Sequence, residues 1–306
     1  MLLLVNSSAS SVTARGKVVI QKALSADHQV SVAETSRRGH ATRLAQGAAR
    51  GGVDAVVVLG GDGTLNEAAN GLAGTGVALG VLPGGSTNVF ARTIGMTNDP
   101  IEATGELLGA MGAGTRRRIG LGQVNGRYFL FHVGIGFDAA VVEQVERRSG
   151  LKRWMGHPLF VYASFATWFR HYDRTRPRFV VGGDDSGDDS SPDVEGYFAL
   201  CLNTNPYTYL GNRPFNVAPE ATFDRGLVLV TFRSFGIGTL MRAAGSALGS
   251  GRALRTMRRL DRRLDVDHVV IRGLGPFPYQ MDGDFLGETD RLEFRHVPDS
   301  LDLFIP

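Results

Sequence analysis

The sequence predicts an α/β N-terminal domain built on a parallel sheet, followed by a second domain of mainly antiparallel β structure. Three observations support this fold class. Strand and helix patterns alternate over roughly the first 115 residues, strand patterns dominate from there to about residue 235 and return in the tail, and glycine-rich turns follow two successive strands of the first domain. Alternating strands and helices form parallel sheets that helices cover on both faces.

The first domain contains four predicted strands with three helices between them. Apolar, β-branched runs such as LLLV and DAVVVL are typical of strands buried on both faces. The strands lie at 2–5, 28–33, 54–59 and 77–82, and the helices at about 14–24, 40–49 and 65–73. We place the boundary near residue 117, which gives domains of 1–117 and 118–306, with the extreme C-terminal segment free to pack back on the first domain.

In the second domain, short apolar runs separated by polar turns predict strands. They lie at 117–124, 127–137, 178–183, 195–203, 226–232, 268–273, 278–283, 290–297 and 300–305. Two helical segments interrupt them, near 138–148 and 158–171. The acidic stretch at 182–193 is interpreted as a polar loop, because it lacks the oxygen spacing of a calcium-binding loop.

Composition excludes several classes of protein. The chain has 306 residues, of which 43% are hydrophobic and 21% are charged, so wholesale disorder is excluded. The single cysteine, Cys201, cannot form an intramolecular disulfide or a thiolate zinc site, which favours a reducing compartment. No stretch reaches the ~18 consecutive apolar residues of a membrane span. We therefore expect a soluble, cytoplasmic protein.

The first glycine-rich turn follows the buried strand at 54–59. Gly60-Gly61-Asp62-Gly63 bends the chain sharply, and Thr64 with Glu67 three residues later predicts a capping box at the start of a helix. A cap explains the threonine and the glutamate, but it leaves three glycines around an aspartate unexplained. Free N–H groups and the positive end of a helix bind anions. We therefore predict a nucleotide-phosphate turn, in which Asp62 holds a divalent metal or a ligand hydroxyl.

A second glycine-rich turn, Pro83-Gly84-Gly85-Ser86-Thr87-Asn88, links the next strand to a short helix. Because parallel strands send their carboxyl ends to one edge of a sheet, we expect the two turns to form two walls of one phosphate pocket. Asn6 after the first strand and Thr35 after the second end near the same edge. The alternative is that these two residues belong to ordinary loops and helix caps.

A third candidate, Asp282-Gly283-Asp284, lies far along the chain within YQMDGDFLGETD at 279–290. Two carboxylates in one turn can bind a metal or accept a proton. An Asp-Gly pair is also a common hairpin turn that needs no function. The residues alone leave both interpretations open.

Together these segments resemble a known family. GGDGTLNEAANGL at 60–72, LPGGSTNVFAR at 82–92 and MDGD at 281–284, in this order, are similar to the diacylglycerol kinase catalytic-domain family, which includes soluble bacterial diacylglycerol kinases and sphingosine kinases. The resemblance extends through RYFLFHVGIGFDAAVVEQVE and covers nearly the whole chain. GGDGT alone is less specific, because NAD kinases and phosphofructokinases share it.

The resemblance implies a phosphofructokinase-like, Rossmann-like nucleotide domain, a C-terminal antiparallel β-sandwich, and ATP with Mg²⁺ in the cleft between them. Asn6, Thr35, the 60–66 turn and Thr87 match the family's ATP-contacting positions. With the other turn residues, the predicted nucleotide-binding set is Asn6, Thr35, Gly60, Gly61, Asp62, Gly63, Thr64, Asn66, Glu67, Gly84, Gly85, Ser86, Thr87 and Asn88.

The resemblance also implies catalytic roles. Asp282 matches the family's proposed general base, which takes the proton from the lipid hydroxyl, whereas in sphingosine kinases the aspartate matched by Asp62 has been given that role. Asp284 stands where the family usually has glutamate. Asp224 matches one acid of a structural magnesium loop, in which Arg225 replaces the other acid, so Asp224 is the one residue left as a candidate ligand of that loop.

A basic segment at 252–263 carries six arginines and one acid, Asp261. Apolar residues from Leu240 to Leu264 recur at roughly helical spacing, so we predict an amphipathic helix with a basic face. That face is either solvated or docks on an anionic membrane with help from 147–154, which would make the protein peripheral at the inner face of the membrane. No recognition motif accompanies the charge, so nucleic acid is not an expected partner. The oligomeric state stays open, with a homodimer among the options.

As function, the resemblance implies an ATP-dependent lipid kinase that transfers the γ-phosphate to the primary hydroxyl of diacylglycerol, giving phosphatidic acid. The alternatives are a kinase of another lipid alcohol or of a sphingoid base and, from a different class, a non-catalytic nucleotide sensor at the membrane surface. An NAD kinase is a weaker alternative, because the GGSTN turn and the MDGD segment fit it poorly.

Overall fold

The computed structural model describes residues 1–147, 175–182 and 192–306. The helix predicted at 158–171 lies outside the described residues, as do the middle of the acidic loop and all but the first residue of 147–154. Within the described ranges, no helix is long and apolar enough to cross a bilayer.

The chain divides into two compact units. One contains residues 1–121 together with 298–306, and the other contains residues 122–297.

The first unit is a parallel α/β sheet, as predicted. Its elements are β1 Leu2–Val5, α1 Ala14–Asp27, β2 Ser31–Glu34, α2 His40–Arg50, β3 Ala55–Gly60, α3 Asp62–Leu72, β4 Ala78–Pro83, α4 Val89–Thr93 and α5 Pro100–Ala113. The strand order is β4-β3-β1-β2, and every neighbouring pair is parallel. Asp302 and Leu303 near the C-terminus add a further parallel partner beside β4.

Local sequence signals explain where these elements begin and end. The strands β1, β3 and β4 are buried along their whole length, as expected for a parallel sheet covered on both faces. The Thr13 hydroxyl caps α1 by accepting the Gly16 N–H, and Asp99 caps α5 just before Pro100. Gly114, in the left-handed region at φ 68°, ends α5.

The second unit is antiparallel, which confirms the second half of the predicted fold class. Its elements are β5 Arg116–Val124, β6 Arg127–Phe129, β7 His132–Gly136, α6 Phe137–Glu146, β8 Phe179–Gly182, β9 Val194–Gly196, β10 Phe198–Leu202, β11 Thr208–Leu210, β12 Arg213–Phe215, β13 Leu227–Phe232, α7 Ile237–Ala247, a 3₁₀ helix Arg252–Thr256, β14 Leu260–Val266, β15 His268–Met281 and β16 Asp284–Phe304. The strand order is β14-β13-β10-β7-β15-β16. Strands β5 and β16 begin or end in the first unit.

Both faces of this sheet are apolar. Along β10, Phe198, Leu200 and Leu202 enter one core cluster, whereas the alternate residues Ala199 and Cys201 enter another. The period of two is that of a strand, so each face of the sheet supports its own core. The first cluster also contains residues of α7 and of the 3₁₀ helix. Burial in the second cluster raises the pKa of the Cys201 thiol above its ordinary value.

The predicted amphipathic helix from Leu240 to Leu264 is wrong. Helix α7 ends at Ala247, and the chain then passes through the 3₁₀ helix into β14. The cause is the Gly249-Ser250-Gly251 segment, where Gly251 takes a left-handed conformation at φ 69°. The basic segment at 252–263 is therefore divided between the 3₁₀ helix, a short connection and the start of β14.

Two further boundaries differ from prediction. The strand expected at 127–137 is interrupted after Phe129, and Phe137 already begins α6. The four strands expected in the tail merge into two long ones, β15 and β16, joined by the turn at 282–283.

The packing of α2 against α3 predicts opposite effects for two glycine-to-alanine changes. A Cβ at Gly71 would lie 2.6 Å from the Thr42 carbonyl oxygen and 2.8 Å from the Ala45 Cβ, whereas a Cβ at Gly47 would meet nothing within 4 Å. We expect Gly71→Ala to lower the free energy of unfolding by about 1–3 kcal/mol. The control Gly47→Ala should raise it by about 0.5–1 kcal/mol, because alanine has the better helix propensity. Urea unfolding measures both, and equal effects would contradict this account.

Candidate active site

The structure brings the two glycine-rich turns of the first unit into direct contact. Strands β3 and β4 pair up to Gly60 opposite Pro83, and the Gly84 N–H donates to the Gly60 carbonyl oxygen at 2.8 Å. A Cβ at Gly84 would lie 2.9 Å from the Gly60 Cα, and one at Gly85 would lie 2.9 Å from the Gly61 Cα. No side chain fits between the two backbones, so their close approach requires glycine at 84 and 85.

The Asp62 carboxylate ties the first turn to the second. One oxygen accepts the Val89 N–H and the other the Phe90 N–H, each at 3.0 Å. The Asn88 side chain closes the second turn on itself, since its Oδ1 accepts the Gly85 N–H at 2.7 Å and its Nδ2 donates to the Gly85 carbonyl at 2.9 Å. Asp62 thus has a structural role that was not predicted for it.

The predicted capping box is wrong. Helix α3 begins at Asp62 after an N-cap Gly61, so Thr64 is already the third helical residue. The Thr64 hydroxyl accepts an N–H from the Asn6 side chain at 2.9 Å. The Glu67 carboxylate instead accepts the N–H groups of Gly39 and Ala41, at 2.7 and 3.1 Å, at the start of α2.

The remaining predicted nucleotide-binding residues of this unit have mixed environments. The Thr35 N–H continues the β1–β2 pairing by donating to the Val5 carbonyl at 2.9 Å. Ser86 is exposed and Thr87 is half-buried, whereas Asn66 is 2% exposed and its carbonyl accepts an N–H from Asn70. The first N–H groups of a helix have no intrahelical acceptor, so the start of α3 suits an anion. The binding roles themselves stay predictions.

In the second unit, the Asp282 carboxylate is held by a run of backbone N–H groups. It accepts from Leu130 at 2.7 Å, from Phe131 at 3.0 Å and from His132 at 3.1 Å. The Asp282 N–H returns a bond to the His132 carbonyl at 2.9 Å, and the side chain is 5% exposed. This carboxylate therefore fixes the β6–β7 connection against the turn that carries it. Asp284, half-buried, begins β16.

A side-chain network that the sequence analysis missed lies beside this turn. The Tyr207 hydroxyl donates to Asp138 Oδ1 at 2.6 Å, and the Gln280 Nε2 donates to Asp138 Oδ2 at 2.7 Å. The Gln280 Oε1 accepts the Gly283 N–H at 2.9 Å, so the network reaches the turn. A Cβ at Gly134 would collide with the Asp138 carboxylate. The signal in the sequence was this glycine, four residues before an acid in an apolar run.

Burial perturbs the titration of this network. It raises the pKa of the Asp138 carboxyl above its ordinary value, against the opposing effect of the hydrogen bonds from Tyr207 and Gln280. Burial and the adjacent Asp138 carboxylate raise the pKa of the Tyr207 phenol well above its ordinary value. The tyrosine hydroxyl therefore stays a donor at neutral pH.

His132 packs its ring against Tyr207, with ring centroids 4.2 Å apart. Neither ring nitrogen has a hydrogen-bond partner in the part of the chain that the structure describes. Burial lowers the pKa of the imidazole from 6.5 to about 3, so the ring is neutral at pH 7.

An apolar cavity of about 370 Å³ opens in the same unit. Its wall is formed by α6, α7 and the faces of β10 and β13 that turn toward them, with Asp138 and Tyr207 among the few polar residues. The described lining residues are Phe137, Asp138, Val141, Phe198, Leu200, Tyr207, Thr208, Leu210, Phe215, Val217, Phe232, Ile237, Leu240, Met241, Ala243, Ala244, Ala247, Leu248 and Leu254. The size falls within the about 300–1,000 Å³ typical of ligand sites.

The candidate metal ligand Asp224 is exposed on the loop before β13. Over residues 1–147, 175–182 and 192–306, no group of three or more His, Cys, Asp or Glu side chains is arranged to hold a metal ion. The assignment of a metal to Asp224 stays a prediction.

The architecture of an α/β unit with paired glycine turns and a second, antiparallel unit can now be compared with known proteins. Residues 1–124 match the family model described as the diacylglycerol kinase catalytic domain. The chain is 30% identical over 314 residues to the "Probable lipid kinase YegS-like" of Pseudomonas aeruginosa, covering 100% of this chain and 94% of that relative. It is 40% identical over 121 residues to the diacylglycerol kinase of Bacillus subtilis, which is 39% of the length of each. The chain therefore belongs to the diacylglycerol kinase catalytic-domain family of lipid kinases.

Solved structures show the same fold. A diacylglycerol kinase from Bacillus anthracis superposes with a TM-score of 0.70 at 21% identity, covering 100% of this chain and 96% of that one. An NAD kinase from Archaeoglobus fulgidus in complex with ATP gives a TM-score of 0.53 at 10% identity, covering 99% and 92%. The predicted fold class and the predicted family are both confirmed.

The depressed pKa of His132 predicts a pH-dependent stability. Between about pH 6 and pH 3 the unfolded chain binds a proton on this residue that the folded chain does not, so stability falls as the pH falls. This one group raises the unfolding equilibrium constant by up to about tenfold per pH unit. His132→Phe keeps an aromatic ring against Tyr207 and should remove that part of the dependence in urea unfolding at pH 7, 6, 5 and 4. An unchanged slope would contradict the assignment.

Proposed function

We propose that this chain is an ATP-dependent kinase that transfers the γ-phosphate of ATP to the primary hydroxyl of diacylglycerol, giving phosphatidic acid. One observation carries the choice of a lipid substrate. It is the apolar cavity of the second unit, whose wall includes Asp138 and Tyr207. Hydrogen bonds through Gln280 connect this pair to the turn that contains Asp282.

The cavity fits an acyl chain better than a sugar or a nucleotide. Its wall consists of Phe, Leu, Val, Ile, Met and Ala side chains over nearly all of its extent. Burying apolar surface is worth about 25 cal/mol per Å², whereas the described lining residues include no charged hydrogen-bond donor for a polar ligand. This favours a lipid over the NAD of the NAD kinases.

The polar side of the cavity suits the hydroxyl-bearing end of such a lipid. The Asp138 carboxylate and the Tyr207 hydroxyl lie in an otherwise apolar wall. Because each is already hydrogen-bonded, the network is fixed before substrate binds. We infer that it orients the lipid hydroxyl toward the 282–284 turn.

The residues of the first unit fit a nucleotide phosphate. The N–H groups at the start of α3 have no acceptor within the helix, and the contact between Gly60 and Gly84 brings the second turn beside them. Bound ATP with Mg²⁺ would supply the phosphoryl group and neutralise its charge. A magnesium ion held by one or two carboxylates and by phosphate oxygens needs no cluster of three acids.

Three carboxylates remain candidates for handling the substrate proton. Asp62 and Asp282 are both engaged with backbone N–H groups, at 3.0 Å for Asp62 and at 2.7–3.1 Å for Asp282. We propose Asp282 as the proton acceptor, Asp284 as the group that orients metal or water, and Asp62 as the alternative acceptor. The approach of Asp282 to the glycine turns stays a prediction.

The test of the proposed function is product analysis. The purified protein is incubated with Mg²⁺, ATP and a total lipid extract, and phosphorylated products are identified by mass spectrometry. Phosphatidic acid is the expected product. A phosphorylated sphingoid base or another phosphorylated lipid alcohol would identify a lipid kinase with a substrate other than diacylglycerol. Absence of any ATP turnover would favour the nucleotide sensor, and phosphorylation of added NAD would contradict a lipid kinase.

Filling the cavity should select against long acyl chains. Ala244 lines the cavity on α7, and Ala244→Phe places a ring in the space proposed for the lipid. We expect at least about tenfold lower kcat/KM for long-chain diacylglycerol, a loss of about 1.4 kcal/mol, with ATP affinity unchanged. The control Ala26→Phe adds the same ring on an exposed position of α1. Equal activity of the two variants would contradict the cavity assignment.

The carboxylate variants separate catalysis from folding. Asp282→Asn removes a proton acceptor but also turns an NH₂ group toward a backbone N–H. We expect a rate loss of about 100- to 10,000-fold with ATP binding retained. A small change in Tm supports the role of a base, whereas a Tm loss in proportion to the rate loss indicates the structural role alone. An unchanged rate would exclude Asp282 from catalysis.

Two companion variants complete the set. Asp62→Asn should lower the rate by at least about 100-fold, the scale of losing one electrostatic contact in the transition state. Asp284→Glu restores the residue more common in the family and should be tolerated. Near-normal turnover of Asp62→Asn would remove the first glycine turn from the mechanism.

A further inference from the structure

Helix α7 exposes an apolar stripe that the described residues of its own unit do not cover. Ile237, Met241 and Leu248 are 43%, 57% and 46% exposed. Their spacing of four and seven residues places them along one side of a helix with 3.6 residues per turn. Ala243 and Ala247 lie on a different side of the helix and are buried in the core cluster. Exposed apolar side chains in a row mark a site of interaction rather than of folding.

The stripe is also the rim of the apolar cavity. All three of its residues line the cavity while remaining largely exposed. A side chain can line the cavity and also be exposed to solvent only where the cavity opens to the outside. The cavity therefore opens to the outside along this apolar margin.

The segment of chain that carries the stripe is rich in arginine. Between residues 233 and 259 the sequence contains six arginines and no acid. Three of them, Arg242, Arg252 and Arg258, are exposed and have no ion-pair partner among the residues that the structure describes. Apolar side chains next to unpaired arginines have the character of a helix that lies in the surface of an anionic membrane.

Several arginines of the basic segment that was predicted to dock instead bind groups within the protein. Arg262 is bound to Glu220 at 2.7 Å and its side chain is 10% exposed. Arg263 is 12% exposed and donates to the Pro192 carbonyl at 2.9 Å. Arg255 is also paired with Glu220, at 2.6 Å. The arginines available to a partner are Arg242 on α7 and Arg252 and Arg258 of the basic segment, which have no ion pair among the described residues.

We propose that Ile237, Met241 and Leu248 with Arg242, Arg252 and Arg258, the α7 surface, dock on an anionic phospholipid bilayer. The three apolar side chains enter the acyl region at the interface, and the arginines contact lipid phosphates. The cavity mouth then faces hydrocarbon, so an acyl chain enters it without crossing water. This last step rests on the proposed function, whereas the docking does not.

A bilayer fits this surface better than a protein does. A protein partner would need an acidic patch around an apolar groove to match this surface. A bilayer supplies anionic phosphates and an apolar phase side by side, and it is the phase in which a ligand for the cavity would be dissolved.

The first experiment measures binding of the full chain to vesicles without nucleotide. The probes are phosphatidylcholine vesicles with and without phosphatidylglycerol. Met241→Gln/Leu248→Gln removes apolar surface without changing charge, and we expect at least about tenfold weaker partitioning to the anionic vesicles. The control Val18→Gln/Ile101→Gln alters two comparably exposed apolar residues of the first unit and should bind as the wild type does. Equal binding by the two double variants overturns the proposal.

The second experiment separates docking from catalysis. Arg242→Glu/Arg258→Glu changes residues that do not line the cavity, and Arg15→Glu/Arg50→Glu makes the same charge change on the first unit. We expect the first pair to lose at least about tenfold in vesicle binding and in activity on diacylglycerol in vesicles. Its activity on water-dispersed short-chain diacylglycerol should equal that of the wild type. Equal loss on both substrates overturns the proposal.

The vesicle measurement stands by itself if the proposed function fails. With no lipid phosphorylated, binding that depends on Met241 and Leu248 still supports the docking surface, and binding that does not depend on them overturns it. Light scattering supplies the remaining check. A wild-type dimer that Met241→Gln/Leu248→Gln dissociates would make this surface an interface between two copies and would overturn membrane docking.

Discussion

The second unit depends on one buried carboxylate. Asp282 accepts N–H groups from three successive residues, Leu130 to His132, and so joins the β6–β7 connection to the β15–β16 turn across 150 residues of sequence. A buried carboxylate is stable only when its oxygens are hydrogen-bonded, and the backbone here provides those bonds. The neighbouring Gln280 and His132 then have fixed positions, and through them so do Asp138 and Tyr207.

The same carboxylate is the proposed proton acceptor, and the two roles compete. Oxygens that accept three N–H groups have fewer lone pairs to offer a substrate hydroxyl. In phosphoryl transfer the transition state is loose, and the attacking hydroxyl loses its proton late. A carboxylate that orients the hydroxyl while remaining bound to the backbone is therefore compatible with the chemistry, because little proton transfer is needed before the phosphoryl group moves. The position of the Asp282 carboxylate would then contribute more to the rate of phosphoryl transfer than its basicity does.

Local patterns explain what the sequence could predict. The buried runs of β1, β3 and β4 and the glycines after them are short-range signals, so the parallel sheet and both turns were found. The Tyr207–Asp138–Gln280 network joins residues 69 and 142 positions apart, and only the completed fold brings them together. The capping box failed because Gly61 starts α3 earlier than Thr64, and the basic helix failed because Gly251 ends the helical path.

The cavity itself has a simple origin in side-chain size. Helix α7 presents Ala243, Ala244 and Ala247 toward the sheet, where β10 and β13 present Phe198 and Phe232. Larger residues on the helix would fill this space, and the apolar walls that it leaves in contact with water cost stability at about 25 cal/mol per Å². A cost of that kind is offset whenever a ligand occupies the space, since binding to the folded state alone stabilises it. The small residues of α7 therefore lower the stability of the unliganded unit and leave the space in which a ligand binds. The apolar stripe lies on the same helix.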